Sequence, residues 1–600
     1  MARLKPVKFD LEGAAAVGAA PAQVRVFSGI AGENTSRQSL AQLAASLKGV
    51  KLEIVQQYLG KASLELDRGH PERAEKWALK ALEVDERSGI SWHTLATCRE
   101  MAGDFASSIR CYEAALALIP EDNDITNNLG RLASRMGDNV TAEKFFRLYL
   151  ARYPGHPEGA NNLGSVLRSQ SRFDEAIEVL KEGLAKNPER AMLWNGIGSV
   201  MADIGDIENG LIFYEECLRI DPKFSKARYN RGTMRLASGD VLGALQDCDK
   251  AISQTKAVHE VCMMRMARAS MLLNLGRLSA GWDEYETRLD ANFSDCTLYS
   301  VGDLPQWKPN TPLAGKSLLL ICEQGLGDEI LFGTILHDIV EQLGPEGKLT
   351  LVVERRLVSL FQRSFPTAVV GAHITYSIQG HDVRVLPFLN DDFSGLDLWT
   401  PIGSLMRQYR RTTEDFPDRV GYLKPDPDRV AFWRDWLNSL PDLPKVGLLW
   451  KSAVISAGRH RYFSPFDHWE PIIGVPGITI VNLQYGDCDK ELTRAREEFG
   501  VEIIQPPGID LKQDLDEVTA LCAAMDLVIG FSNATFNMAA AAGSKAWLIL
   551  PPGTWTSLGT GRYPWYPQVR VFVPEAFNNW GPVMAEIASE LAEFVGNPAP

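Results

Sequence analysis

GDFASSIRCYEAALALIPEDNDITNNLGRLASRMGD, from Gly103 to Asp138, holds one full period of a repeat and the start of the next. Its Gly-Asp pair returns along the chain. Gly69, Gly103, Gly137, Gly205 and Gly239 are separated by multiples of 34 residues, and Ser171 fills the one missing place. Asp104, Asp138, Asp206 and Asp240 follow four of these glycines, and Pro120, Pro154, Pro188 and Pro222 keep the same step. A glycine that ends one helix in the left-handed region, followed by an aspartate that caps the next, is the junction inside a helical hairpin. Small and large positions recur as well. Gly130, Gly164 and Gly198 fall in the first helix of their units and Ala142, Ala176 and Ala244 in the second, with Phe146 and Leu180 four residues after that slot. A small residue lets two helices approach, and the larger side chain fills the groove between them.

In length, spacing and residue type the array resembles tetratricopeptide (TPR) repeats, stacked into an α-solenoid. About six units are expected within residues 49–290, the last out of register because Gly276 falls three residues late and Lys256 stands where proline is expected. Residues 1–48, rich in Ala, Gly and Ser, read as a mobile N-terminal arm. Asn128, Asn162 and Asn230 share one position of the first helix, so their amides form a column able to bond the backbone of an extended partner protein. O-GlcNAc transferases use a similar ladder.

Beyond a linker, 291–315, the pattern becomes α/β. Lys316–Cys322, Lys348–Glu354, Val446–Trp450, Ile478–Leu483, Leu527–Gly530 and Trp547–Leu550 are short apolar runs with the length of buried parallel strands, separated by helical segments. Proline-rich 423–445 reads as a hinge between two such sheets, giving halves at 316–424 and 425–600. In open α/β sheets ligands bind outside the carboxyl ends of the strands, which places a site in the cleft between the halves. The formal charge of −14, from 62 basic and 76 acidic residues, argues against nucleic acid as a partner. The sequence has no signal-peptide core or run of 18 apolar residues, and its nine cysteines are scattered without a C-x-x-C pair, so a cytoplasmic protein not inserted in a membrane is expected.

Gly276–Arg288 (GRLSAGWDEYETR), the stretch from Trp307 (WKPNTPLAGKSLLL), EQGLGDEILF, Val446–Ser452 (VGLLWKS), Val481–Asp487 (VNLQYGD), Asp526–Gly543 and Tyr563–Pro567 (YPWYP) together resemble TPR-linked glycosyltransferases. Their catalytic half is similar to heptosyltransferases, a double-Rossmann GT-B fold. Within that group the segments look like flagellin glycosyltransferases of alphaproteobacteria. The resemblance implies transfer of a nonulosonic acid, pseudaminic or sialic-like, from a CMP-sugar to Ser/Thr of flagellin, with no metal and no resident cofactor. Asp328, after Gly325 and Gly327 at a strand-to-helix junction, is the base that the motif implies; the two glycines leave room for the acceptor. The same aspartate would also suit a helix cap. Ser532, Asn533, Ala534 and Thr535 start a second helix whose amides suit a donor phosphate. Lys451, Arg459 and Arg461 supply cations, and Gln484 and Tyr485 end a neighbouring strand. Heptosyltransferase-like chains usually carry Asp before Ser or Thr at the second turn and His one helical turn on; this chain has Ser532-Asn533 and Asn537. Two alternatives stand beside protein glycosylation: a transferase acting on a saccharide, and a TPR scaffold with an inactive transferase half.

Overall fold

The computed structural model describes residues 30–378, 381–452 and 462–596, and the chain divides into two compact units, 1–149 and 150–600. Among the described residues fourteen helices come first, from α1 (Ile30–Asp67) to α14 (Leu278–Tyr285), making seven consecutive pairs where repeat counting gives about six. The junctions follow from the repeated residues. Gly69, Gly103, Gly137, Gly205 and Gly239 all have positive φ, and Ser171 takes the same conformation at +60° without being glycine. The four aspartates cap: Asp104 accepts from the Ser107 amide at 3.1 Å, Asp138 from Thr141 at 3.0 Å, Asp206 from Asn209 at 3.2 Å and Asp240 from Gly243 at 2.9 Å. The recurring small residues are close-packing notches. A Cβ on Gly130 would lie 2.6 Å from the Phe146 ring, and on Gly164 2.8 Å from Leu180.

Residues 30–48 of the expected arm are helical and continuous with the part of α1 that packs through Val55 and Ala62. Residues 1–29 lie outside the described residues.

Among the described residues twelve strands follow in three sheets. A four-stranded parallel sheet has the order β4-β3-β2-β7, formed by β2 (Ser317–Ile321), β3 (Lys348–Val353), β4 (Val369–Ala372) and β7 (Leu398–Pro401). A five-stranded parallel sheet has the order β12-β11-β10-β8-β9: β8 (Lys445–Leu449), β9 (Thr479–Asn482), β10 (Leu527–Phe531), β11 (Ala546–Ile549) and β12 (Val569–Phe572). The six apolar runs read from sequence are the six strands β2, β3, β8, β9, β10 and β11. A small mixed sheet joins β1 (Thr297–Tyr299), β6 (His381–Val385) and β5 (Ile374–Ile378), with β5 and β6 antiparallel.

Three boundaries differ from expectation. The stretch 291–315 is not a bare linker, because it contributes β1 and a bridge from Gln306 to Trp399. The hinge 423–445 contains the helix Pro427–Asn438, since Asp426 caps it and Pro427 occupies a first-turn position where a missing N–H costs nothing. The division at residue 290 crosses a continuous core. Trp282 of α14 is buried, donates its indole N–H to the Arg410 carbonyl at 2.7 Å, and meets Phe332, Trp555 and Trp565 edge-on. All nine cysteines are buried and unpaired. Among the described residues no helix is long and apolar enough to cross a membrane.

Candidate functional site

The first turn leaves the carboxyl end of β2 as Glu323-Gln324-Gly325-Leu326-Gly327-Asp328 and opens the short helix α15 (Leu326–Phe332). Gln324 sits in the left-handed region at φ +65°, a conformation that costs a non-glycine residue about 1–2 kcal/mol and so must be held by its surroundings. Two buried guanidiniums flank it. Arg384 of β6 donates to the carbonyls of Cys322 at 2.5 Å and Gln324 at 3.0 Å. Arg288, which follows α14, forms a two-pronged pair with Glu323 at 3.0 and 2.7 Å; Glu323 also accepts from the Gly403 amide at 2.8 Å and the Tyr299 hydroxyl at 3.2 Å. Asp328 is half-buried, and its Oδ2 accepts from the Gly325 amide at 3.2 Å. It therefore caps α15 from the third position of the helix. The next residue, Glu329, is buried and accepts from the Glu354 amide at 2.9 Å, with His373 Nε2 at 3.2 Å.

The second turn leaves β10 at Ser532 and opens the helix Ala534–Ala541. Asn533 is its cap, accepting from the Phe536 amide at 3.0 Å, while Asn537 donates to the Asn533 carbonyl at 3.0 Å. The two turns abut. A Cβ on Gly327 would stand 3.5 Å from the Ala534 amide nitrogen and 3.5 Å from Asn537 Nδ2. Tyr563 closes this region; burial pushes its hydroxyl up to about 12, and Ser532, Thr556 and Asp328 lie close enough to influence it. A Cβ at 327 would thus make ordinary van der Waals contact with the opposite turn, which marks how closely the two turns approach.

The remaining donor residues are less free than the sequence suggests. Gln484 is buried, and its amide oxygen accepts from the backbone of Trp450 at 2.9 Å and Lys451 at 2.8 Å while its nitrogen donates to the Tyr485 carbonyl. It ties β8 to β9 through these internal bonds. Lys451 lies at the end of β8, where its ammonium pairs with Glu491. Tyr485 is half-buried. Arg459 and Arg461 lie outside the described residues. Sequence reading missed Glu323, Arg384 and Tyr563: Glu323 and Tyr563 stand inside quoted motifs but without a role, and Arg384 belongs to a strand whose mixed pattern gave no signal.

In the array the asparagines bond to the preceding repeat. Asn230 donates to Asn195 Oδ1 at 3.0 Å. In the other unit Asn128 Nδ2 lies 2.6 Å from His93 Nε2; burial lowers the His93 pKa, favouring the neutral ring whose nitrogen can accept. Asn162 is half-buried. The three occupy equivalent helix positions, as expected, but at least two already spend an amide proton within the array.

A helical repeat array followed by a region of parallel sheets and helices defines the class, and comparison with known proteins agrees on its first part: the tetratricopeptide repeat model matches residues 100–157 and 161–223. The chain is 46% identical over 581 residues to Protein FlbA of Caulobacter vibrioides, covering 97% of each, and it belongs to the FlbA family. Among solved structures, a tetratricopeptide repeat protein from Parabacteroides merdae aligns at 15% identity over 39% of this chain and 91% of its own, with a TM-score of 0.33. Yeast Tom70 aligns at 16% identity over 36% of this chain and 46% of its own, with a TM-score of 0.31.

Proposed function

We propose that the chain is a metal-independent protein O-glycosyltransferase of GT-B architecture that moves a nonulosonic acid from a CMP-sugar to Ser or Thr of flagellin in the cytoplasm. The observation that carries this reading is the apposition of the two strand-to-helix turns, with a half-buried carboxylate on one and a helix N-terminus on the other. Asp328 takes the proton of the acceptor hydroxyl as its oxygen bonds to the sugar and the bond to the CMP phosphate breaks. The amides of Ser532, Asn533, Ala534 and Thr535 receive the phosphate. Lys451, released from Glu491, adds a positive charge together with Arg459 and Arg461. The repeat array holds flagellin or another protein acceptor.

One observation favours the inactive-scaffold alternative: Lys451 and Gln484 are both engaged internally. Calorimetry separates the two. A transferase of this kind binds CMP at micromolar concentrations and loses at least tenfold in affinity with Lys451→Ala, about the worth of one charge-assisted contact. Absence of binding to CMP and to ADP would leave the scaffold reading in possession.

A further inference from the structure

Helix α1 is much longer than its partner in the array. Its 38 residues face the 14 of α2 (Pro71–Val84), and the packed part begins near Ile54, with Val55 and Ala62 buried and Tyr58 stacked on Trp77. Every residue from 37 to 53 is exposed, a rod of about 25 Å at the helical rise. A helix of that length without tertiary cover is marginal in water.

The rod carries an apolar seam. Leu40, Leu43, Leu47 and Val50 are 65%, 58%, 56% and 54% exposed, and half-buried Ile54 continues the series. Their steps of three, four, three and four are the a and d positions of a heptad, the narrow stripe that packs knobs into holes on another helix. The broader stripe of a helix built for a globular core is absent. Beside the seam, at the e and g positions, stand Ala44, Ser46, Lys51 and Glu53: two small neutral residues and one charge of each sign. Such a surface meets a copy of itself without a block of like charge. Leu52 lies off the seam.

We propose that the overhang of α1 is a homodimerisation helix, whose seam packs against the same seam of a second copy of this chain. The 3-4 spacing specifies a partner of equal spacing, and an identical chain supplies it through an isologous contact. The seam is only about two heptads long, so association in the micromolar range is expected. This inference stands apart from the glycosyltransferase reading, since it uses no residue of the cleft.

Sedimentation velocity of the full chain between about 1 and 100 µM tests it. The wild type should pass from monomer to dimer over that range, while Leu43→Glu/Leu47→Glu stays monomeric with an unchanged melting temperature, because both positions are exposed. A wild type that remains monomeric throughout, or a double variant that dimerises as the wild type does, overturns the proposal. Leu47→Cys, at the middle of the seam, gives a second reading: the nine native thiols are buried, so mild oxidation should yield one disulfide-linked dimer. A dimer that forms without that crosslink uses another surface and also contradicts the seam.

Discussion

Asp328 illustrates how one carboxylate serves two ends. One oxygen accepts from the Gly325 amide and so caps α15, which fixes the side chain in place. In the proposed reaction that fixed carboxylate is the base. Asp328→Asn keeps the cap, because the amide oxygen can still accept, and removes the basicity. Transfer to flagellin should fall by about two to four orders of magnitude with CMP affinity unchanged, as read by initial rates and calorimetry on the same preparation. Turnover within a few-fold of wild type would take Asp328 out of the chemistry. The neighbouring residues show why only part of the site was legible. Gly325, Gly327 and Asp328 stand together in sequence and announce a tight strand-to-helix turn. The groups that hold that turn, Arg288 and Arg384, come from 35 residues before Glu323 and 60 after Gln324, and neither a period nor a motif records such pairings.

At the scale of elements, the repeat junctions are where sequence speaks most directly, because each depends on a local requirement of backbone conformation. Ser171 is the exception that measures it. It adopts φ +60° where the other junctions named above use glycine, and no side-chain cap follows at Arg172. Ser171→Gly should therefore stabilise the chain by about 0.5–1 kcal/mol, the left-handed penalty less the added entropy of the unfolded chain. Urea unfolding followed by circular dichroism checks this, and a lower midpoint in the variant would refute it. The six short apolar runs were readable for the same kind of reason: strands buried on both faces need apolar residues at every position. Strand β5 was not, because all five of its residues are exposed and Ile-Thr-Tyr-Ser-Ile gives no continuous apolar run. The helix Pro427–Asn438 was hidden by its own proline, which marks a helix start as readily as a hinge.

For the molecule as a whole, α14 and the residues after it belong physically with the α/β region. Trp282 is seated among Phe332, Trp555 and Trp565, and Arg288 neutralises Glu323 beneath the first turn. A fragment that begins near Asp290 would leave Glu323 buried without its partner, a loss of about 3–5 kcal/mol for a broken buried pair, besides an empty indole site. It should be recovered as aggregate, whereas a fragment beginning at Val258, the first residue of α13 (Val258–Asn274), should stay soluble and keep CMP binding; soluble yield and calorimetry decide, and a well-folded fragment from Asp290 would contradict the shared core. Transfer to flagellin is tested most directly by the intact mass of flagellin coexpressed with this chain in cells that make a CMP-nonulosonic acid. Added mass in whole units of that sugar on Ser or Thr is expected, absent when the sugar pathway is removed and absent with Asp328→Asn. Unmodified flagellin in the presence of folded chain and donor, or modification that survives Asp328→Asn, would contradict it.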